Sequence, residues 1–295
     1  MTALSLALLI PWLAGVALTV LDGRRRPVRL IAVGALAATL VALAAVGTHV
    51  LTSGPVATTT GSWPLGVGIT LRADALGLTF ALLSVTTLTA AVVHEALNGL
   101  GEREFPGLVL LLAAGLNGAF LTGDIFNFYV FFELALAASY ILALSGRTPR
   151  VLGAGLVFTA VNVLGTFVFL ISVASVYRVT GTLEMTRIGE RMAVADPNAA
   201  ILIAVGFFVA FSVKLGLFPF HFWLPTVYTA ARPAVAAILS GSLANIGAYG
   251  LLRFGAGLLP RELELAAGAL IGVAAISLIG NAGTSVAPSS ARRPM

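Results

Sequence analysis

The sequence contains no cysteine, one lysine, and only 10% charged residues among 295. Without cysteine there is no disulfide framework, no thiolate metal site and no cysteine nucleophile. The glycine-rich motifs that bind nucleotides, clustered histidine ligands and the Gly-x-Ser-x-Gly motif of serine hydrolases are also missing. The sequence therefore predicts no cofactor and no metal site, so energy for any work must come from an ion gradient or from partner subunits.

Apolar residues make up 59% of the chain and the mean hydropathy is +1.02, both far above the range of soluble proteins. A net charge of +5 could suggest a nucleic-acid binder, but the arginines lie in short segments between apolar runs. That placement is what membrane topology requires. We therefore predict an all-α integral membrane protein in a lipid bilayer, with no nucleic-acid partner.

The apolar residues fall into nine windows that indicate transmembrane helices. A hydrocarbon core of about 30 Å takes roughly 20 helical residues. The windows run approximately over residues 2–21, 28–52, 75–95, 105–122, 124–145, 151–177, 199–230, 233–254 and 263–281. Residues 53–74, rich in glycine and proline, are typical of an external loop with a small hairpin. Residues 282–295 are predicted to be a disordered tail.

The arginines also predict the orientation of the chain in the cell membrane. No positive charge precedes the first window and Arg24 to Arg26 follow it, which is the reverse of a signal peptide. With the N-terminus outside and the C-terminus in the cytoplasm, ten arginines lie at cytoplasmic positions and six at external ones. This excess agrees with the positive-inside rule.

The seventh window is too long for one straight helix and contains Pro219 and Pro225. Proline removes a helical hydrogen bond and clashes with the preceding turn, so we predict a helix broken near Pro219. Broken helices in transporters often mark the ion path.

Lys214, the single lysine, lies near the middle of the same window. A lysine at the bilayer centre costs roughly 2.5 to 3.5 kcal/mol, so it should face protein or water and have a partner. In the alternative interpretation the helix ends at Pro219 and Lys214 reaches the interface through its long stem.

Glu133 lies at the centre of the fifth window, nine residues after Asp124 and twelve before Ser145. A short carboxylate at that depth must be protonated, paired or hydrated, and each state makes it a candidate proton carrier; a neutral, hydrogen-bonded structural glutamate is the alternative. Glu133 and Lys214 are the ionisable residues clearly placed at mid-depth. We therefore predict that they pair and that their titrations are coupled.

Polar residues form stripes at helical spacing in the sixth and eighth windows. The stripes consist of Thr159, Asn162 and Thr166, and of Ser242, Asn245 and Tyr249. Such stripes line hydrated paths or make ordinary bonds between helices, and the sequence leaves both uses open. His221 is a candidate proton relay or a packing residue. Asp124 is predicted to cap a helix rather than to conduct.

Several segments of the chain resemble one family. They are Asn117-Gly-Ala-Phe-Leu-Thr-Gly-Asp-Ile-Phe-Asn-Phe-Tyr-Val-Phe-Phe-Glu133, Tyr177 with Thr180-Gly-Thr-Leu183, Lys214-Leu-Gly-Leu-Phe-Pro219 and His221-Phe-Trp-Leu-Pro225. They resemble the D-type membrane protein of Mrp multisubunit cation/proton antiporters. The antiporter-like membrane subunits of respiratory complex I and of membrane-bound hydrogenases are similar.

The resemblance implies that Glu133 and Lys214 form a charge pair that controls proton uptake, supported by His221, Asn245, Asn162 and Thr166. It implies a membrane subunit of a monovalent cation (Na⁺)/proton antiporter, working with other hydrophobic subunits of a hetero-oligomeric complex. Two alternatives remain open. One is a proton-translocating subunit of an NADH-quinone oxidoreductase or hydrogenase complex, and the other is a truncated, non-conducting structural subunit.

The chain departs from this family in two places. Asn245 stands where the family usually has the next relay lysine, and one five-helix antiporter-like repeat is present where the family has two. We therefore expect helices one to three and their external loop in residues 1–104, the repeat in 105–254 and a ninth helix in 255–281. The segment from Thr284 onward does not resemble the family's continuation, and we expect a truncation or a frameshift to account for this.

Overall fold

The computed structural model describes residues 3–59, 68, 70–98, 102–146 and 148–286. Its helices are α1 (Ala3–Thr19), α2 (Arg26–Ser53), α3 (Ala75–Asn98), α4 (Phe105–Phe120), α5 (Ile125–Ala143), α6 (Pro149–Thr180), α7 (Met185–Met192), α8 (Pro197–Leu215), α9 (Trp223–Ala230), α10 (Pro233–Ile238), α11 (Asn245–Gly250) and α12 (Pro260–Val286), and its strands are β1 (Val56–Thr59) and β2 (Thr70–Ala73). A 3₁₀ turn at Phe220–Phe222 precedes α9. π-Helical turns at Leu239–Leu243 and Leu251–Ala256 follow α10 and α11.

Seven helical segments among the described residues are long and apolar enough to cross a membrane. Two of them are composite: residues 197–230 contain α8, the break and α9, and residues 233–256 contain α10, α11 and the π-helical turns. α1 and α4 are apolar but shorter, with 17 and 16 residues. The predominantly helical, membrane-spanning architecture is therefore confirmed, whereas the count of nine spans stays a prediction.

α4 lies at the centre of the bundle, packed between α1, α3 and α5. Every residue of α4 except Leu111 is buried, which explains why this window is apolar around its whole circumference. Gly115 permits the close approach of α5: a β-carbon there would lie 2.6 Å from the Ala135 nitrogen and 2.8 Å from the Phe131 carbonyl oxygen. α4 therefore holds α5 tightly by backbone contact, as small residues do between membrane helices.

An extended ladder covers the bundle at the end where α5 begins. β1 and β2 pair antiparallel from Val56↔Ala73 to Thr59↔Thr70, which confirms a hairpin in the loop; most of residues 60–69 lie outside the described part. Residues 121–125 bridge β2 and residues 183–185. On the β2 side, the Arg72 nitrogen donates to the Leu121 carbonyl and the Gly123 nitrogen donates to the Thr70 carbonyl. On the other side, the Ile125 nitrogen donates to the Leu183 carbonyl and the Met185 nitrogen donates to the Gly123 carbonyl. This ladder fixes the start of α5, where Asp124 accepts a hydrogen bond from the Asn127 nitrogen as the predicted cap.

The structure corrects one assignment and adds a helix that was not predicted. The tail is not disordered from residue 282, since α12 continues to Val286; residues 287–295 lie outside the description. Pro288, two residues further on in the sequence, is the first residue that would oppose a helix. The loop between the sixth and seventh windows contains the helix α7, whose Met185, Ile188 and Met192 are buried at spacings of three and four residues.

An ion pair ties α3 to the end of the span at 233–256. Arg253 donates two hydrogen bonds to Asp74, at 2.7 and 2.6 Å, and a third to the Tyr249 hydroxyl at 2.9 Å. Tyr249 in turn donates to the Phe120 carbonyl at 3.1 Å. Burial opposes ionisation of Asp74, but bonds from Arg253 and the Gly77 nitrogen, with the charges of Arg253 and Arg72, keep its pKa below the ordinary value.

We expect Asp74→Asn to destabilise the protein by on the order of 3 kcal/mol, because it leaves a largely buried guanidinium without its anion. Since the pKa of Asp74 is lowered by folding, its stabilising effect is present above the ordinary pKa of 3.8 and is lost as the pH falls below it. Unfolding in detergent, followed by circular dichroism between pH 3 and 7, measures both the stability lost in Asp74→Asn and the pH dependence of stability in the wild type. Glu190→Gln, on the exposed side of α7, is the control; equal stability of both variants would contradict the prediction.

Candidate proton-transfer site

The predicted break in the seventh window places Lys214 at a helix end inside the bundle. α8 ends at Leu215, and Gly216 adopts a left-handed conformation with φ of 64°. The Leu217 nitrogen donates back to the Ser212 carbonyl at 3.0 Å, a closure that satisfies carbonyls of the last turn. The chain resumes as α9 at Trp223, so the expected interruption near Pro219 is confirmed.

The Lys214 ammonium is held by α6. Its Nζ atom donates to the main-chain carbonyl oxygen of Asn162 at 2.8 Å and to the Thr166 hydroxyl at 3.0 Å. The residue is 4% exposed, and Nζ lies 4.6 Å from the centre of the Phe132 ring. Lys214 therefore does not reach the interface, and backbone, hydroxyl and aromatic face replace its water.

Gly165 on α6 makes room for this lysine. A β-carbon at Gly165 would lie 3.0 Å from Val213 Cγ1 and 3.6 Å from Lys214 Cε. α6 and α8 therefore approach closely enough for a carbonyl of one helix to meet the lysine of the other. Thr166 also donates its hydroxyl to the Asn162 carbonyl at 3.0 Å, so that oxygen accepts two bonds.

Glu133 lies near Lys214 but does not form the direct contact that the sequence indicated. Among the residues described, no ion pair within 4.0 Å joins the two side chains, although the Glu133 charge acts on Lys214. Glu133 is half-buried, and its Oε1 atom is buried without a hydrogen-bond partner. A role for the two residues as a pair therefore stays a prediction, and it would act through space or through water.

A small cavity adjoins Lys214 inside the bundle. It is lined by Leu136, Asn162, Lys214, Trp223, Leu239, Leu243, Ala244 and Ile246. Its volume of about 10 Å³ is room for about one water molecule. The cavity reaches from the lysine to the composite span at 233–256, where Ala244 precedes Asn245.

Among the described residues, Asn245 and His221 form no hydrogen bond with Lys214. Asn245 donates to Gly241 of its own span at 2.7 Å, and His221 packs its ring 5.8 Å from Phe218, with a buried Nδ1 that has no hydrogen-bond partner. Ser242 bonds the Ser84 carbonyl at 3.1 Å. In the eighth window Ser242 and Tyr249 therefore join helices. In the sixth window the Thr166 hydroxyl and the main-chain carbonyl of Asn162 bind the lysine, while the Asn162 side chain donates to the Phe158 carbonyl of its own helix at 2.9 Å.

Two residues of the site were not singled out from the sequence. Phe132, directly before Glu133, faces the ammonium, and Trp223 lines the cavity. In a chain with 17 phenylalanines, the presence of an aromatic residue in a window does not indicate that it lies beside the lysine in the fold. Only the packing of α5 and α9 against α8 shows which aromatic residues lie beside the lysine.

Residues 122–295 match the family described as NADH:quinone oxidoreductase/Mrp antiporter, transmembrane, which covers more than half of the chain. The chain belongs to this family. The match includes Glu133, Lys214 and the broken helix. It accounts for the helical segments from α5 onward that surround the site.

Known members of the antiporter family support the assignment. The chain is 43% identical over 197 residues to the D component of a probable K⁺/H⁺ antiporter of Rhizobium meliloti, and 38% identical over 197 residues to the D component of an Na⁺/H⁺ antiporter of Alkalihalophilus pseudofirmus. Each alignment covers 65% of this chain, and 36% and 40% of the relatives. A chain in the structure of the Mrp complex from Dietzia sp. matches with a TM-score of 0.77 at 31% identity, over 88% of this chain and 49% of that chain. This protein thus spans about half the length of the relatives it matches or less.

Proposed function

We propose that this chain is a membrane subunit of a multisubunit monovalent cation/proton antiporter and that Lys214, assisted by Glu133, carries the proton. The observation that carries the proposal is a lysine 4% exposed inside a broken membrane helix, held by two oxygen atoms of α6. The relatives named as components of K⁺/H⁺ and Na⁺/H⁺ antiporters support this choice over a component of a redox complex.

The geometry supports a simple proton transfer. A protonated Lys214 donates to Asn162 and Thr166; when Nζ gives its proton to a water in the adjoining cavity, the neutral amine accepts a hydrogen bond from Thr166, whose hydroxyl can reverse its role. The Glu133 carboxylate stabilises the ammonium through space, and protonation of Glu133 removes that stabilisation. Proton arrival at Glu133 would therefore promote proton release from Lys214.

The proposed complex includes other hydrophobic subunits in the cell membrane. Everted vesicles that contain the complex, with and without this chain, test the proposal. Addition of Na⁺ or K⁺ to energised vesicles should dissipate the pH gradient only when the chain is present. Equal cation-dependent proton movement in vesicles lacking the chain would contradict an antiporter role.

We also propose that the N-terminus lies outside and the C-terminus in the cytoplasm, and the lack of cysteine gives a clean test. Single cysteines in place of Ser53 and Asn98, exposed residues at the ends of α2 and α3, lie at opposite ends of the bundle. An impermeant maleimide added to intact cells should label the cysteine at position 53 and, only after permeabilisation, that at position 98. The reverse labelling order would overturn the orientation.

A further inference from the structure

Trp223 joins the two halves of the broken helix by a hydrogen bond across the break. Its indole Nε1 donates to the Val213 carbonyl oxygen at 3.1 Å. Trp223 is the first residue of α9, and Val213 is the residue directly before Lys214 in α8. The Val213 carbonyl belongs to the last turn of α8, where it accepts a long bond of 3.3 Å from the Gly216 nitrogen, and the indole adds a second donor at that place.

The Trp223 ring is also a wall of the cavity beside Lys214. The residue is 3% exposed, its ring lies 5.4 Å from that of Phe158 on α6, and it lines the cavity with Asn162 and Lys214. Of the side chains that line this cavity, Lys214 is the one that titrates. Tyr228 on α9, with its ring 6.3 Å from the indole, is an ionisable group that also faces Trp223.

We propose that Trp223 is a positioning residue that couples movement of α9 to the position of Lys214 and to the access of water to its amine. This inference rests on the proposed function of Lys214. A rotation or tilt of α9 cannot occur without breaking the indole bond to Val213 or moving the last turn of α8. Either event changes the size of a cavity that holds about one water, so the hydration of Lys214 depends on the position of α9.

The first test uses fluorescence of Trp223 in the intact chain, in nanodiscs, after Trp12→Phe and Trp63→Phe leave it as the single tryptophan. We expect its emission to change with pH as Lys214 titrates, and the change to disappear in Lys214→Met but to persist in Tyr228→Phe. An emission that does not respond to pH, or that responds equally in Lys214→Met, overturns the coupling. This measurement needs no transport activity.

The second test is Trp223→Phe in the antiporter complex, which keeps an aromatic ring and removes the donor. We expect the pH of half-maximal transport to shift by about one unit. The substitution removes the hydrogen bond to Val213, and the free energy of an ordinary hydrogen bond corresponds to about one pH unit. Trp12→Phe, at a 44% exposed position on α1, is the control and should keep the wild-type profile.

The two proposals fail in different ways. If Lys214→Met is inactive while Trp223→Phe keeps the wild-type pH profile, the coupling is wrong and the function of Lys214 stands. If Lys214→Met transports normally, the proposed function itself is wrong. A Trp223→Phe protein that does not assemble leaves the fluorescence test, made on the native tryptophan, to decide.

Discussion

Replacement of Lys214 by methionine should reduce transport by the complex to below about one hundredth of the wild-type rate. Methionine keeps the length and much of the volume of the lysine stem but cannot bind a proton, and a positioned acid or base typically contributes roughly 10²–10⁴ to a proton-transfer step. The Thr166 hydroxyl still donates to the main-chain carbonyl of Asn162 in this variant, so we expect α6 to stay folded. Cation-driven proton flux in everted vesicles, normalised to the amount of assembled complex, measures the loss.

The matched control is Arg178→Gln, which removes a positive charge from the exposed end of α6 without touching the site. Glu133→Gln should also lower transport strongly, and the double variant should be little worse than Lys214→Met alone, because residues that share one step are not additive. Independent effects that multiply would contradict the pairing. Normal transport by both single variants at normal expression would refute the assignment of the site.

How far the sequence predicts this protein depends on which physical signal is involved. Apolar windows near the length of a bilayer predict helices directly, and the prolines at 219 and 225 predict the break, because both effects are local to the chain. The cost of a buried charge identifies Lys214 and Glu133 without any structure. Contacts across helices depend on rotation about the helix axes, which the windows do not determine.

Asn162 and Asn245 show the difference. Both lie on polar stripes of similar spacing, and both donate their side-chain amide to a carbonyl of their own span. The difference is that the main-chain carbonyl of Asn162 accepts a hydrogen bond from Lys214. The deciding feature is Gly165, which brings α6 against α8, and glycine spacing alone does not tell which neighbour approaches. Similarly, the close approach of α5 to α4 occurs at Gly115, and no pattern in either window predicts how far Glu133 lies from Lys214.

Aromatic packing limits where a proton can go from Lys214. Beyond Phe132, toward the end of the bundle where α5 begins, rings of α5, α6, α8 and the span at 233–256 interlock. They are Phe128, Phe169, Phe207, Phe211, Tyr249 and Phe254, all buried, with centroid distances between 4.8 and 6.4 Å for the contacting pairs. The phenylalanine rings of this cluster exclude water and offer a proton no relay, and the Tyr249 hydroxyl is engaged, since it donates to the Phe120 carbonyl and accepts from Arg253. The open direction from Lys214 is the small cavity toward Ala244.

We therefore expect the purified chain in liposomes to catalyse no cation-dependent proton flux, and the flux to appear only with companion subunits. A proton that leaves Lys214 through the cavity meets the span at 233–256, where Asn245 can order water by hydrogen bonds but cannot itself titrate. The path then needs ionisable groups from a neighbouring polypeptide surface to continue across the bilayer. The measurement is quenching of a pH-sensitive dye in liposomes of the chain alone and of the assembled complex.

Lys214→Met should leave the flux of liposomes that contain the chain alone unchanged, since none is expected, and should abolish the flux of the complex. This contrast separates an incomplete path from an inactive preparation, because the same wild-type chain must work once its partners are added. Robust flux from the chain alone that Lys214→Met removes would contradict the incomplete path. It would mean that the aromatic cluster opens, or that a second copy of the chain supplies the rest of the path.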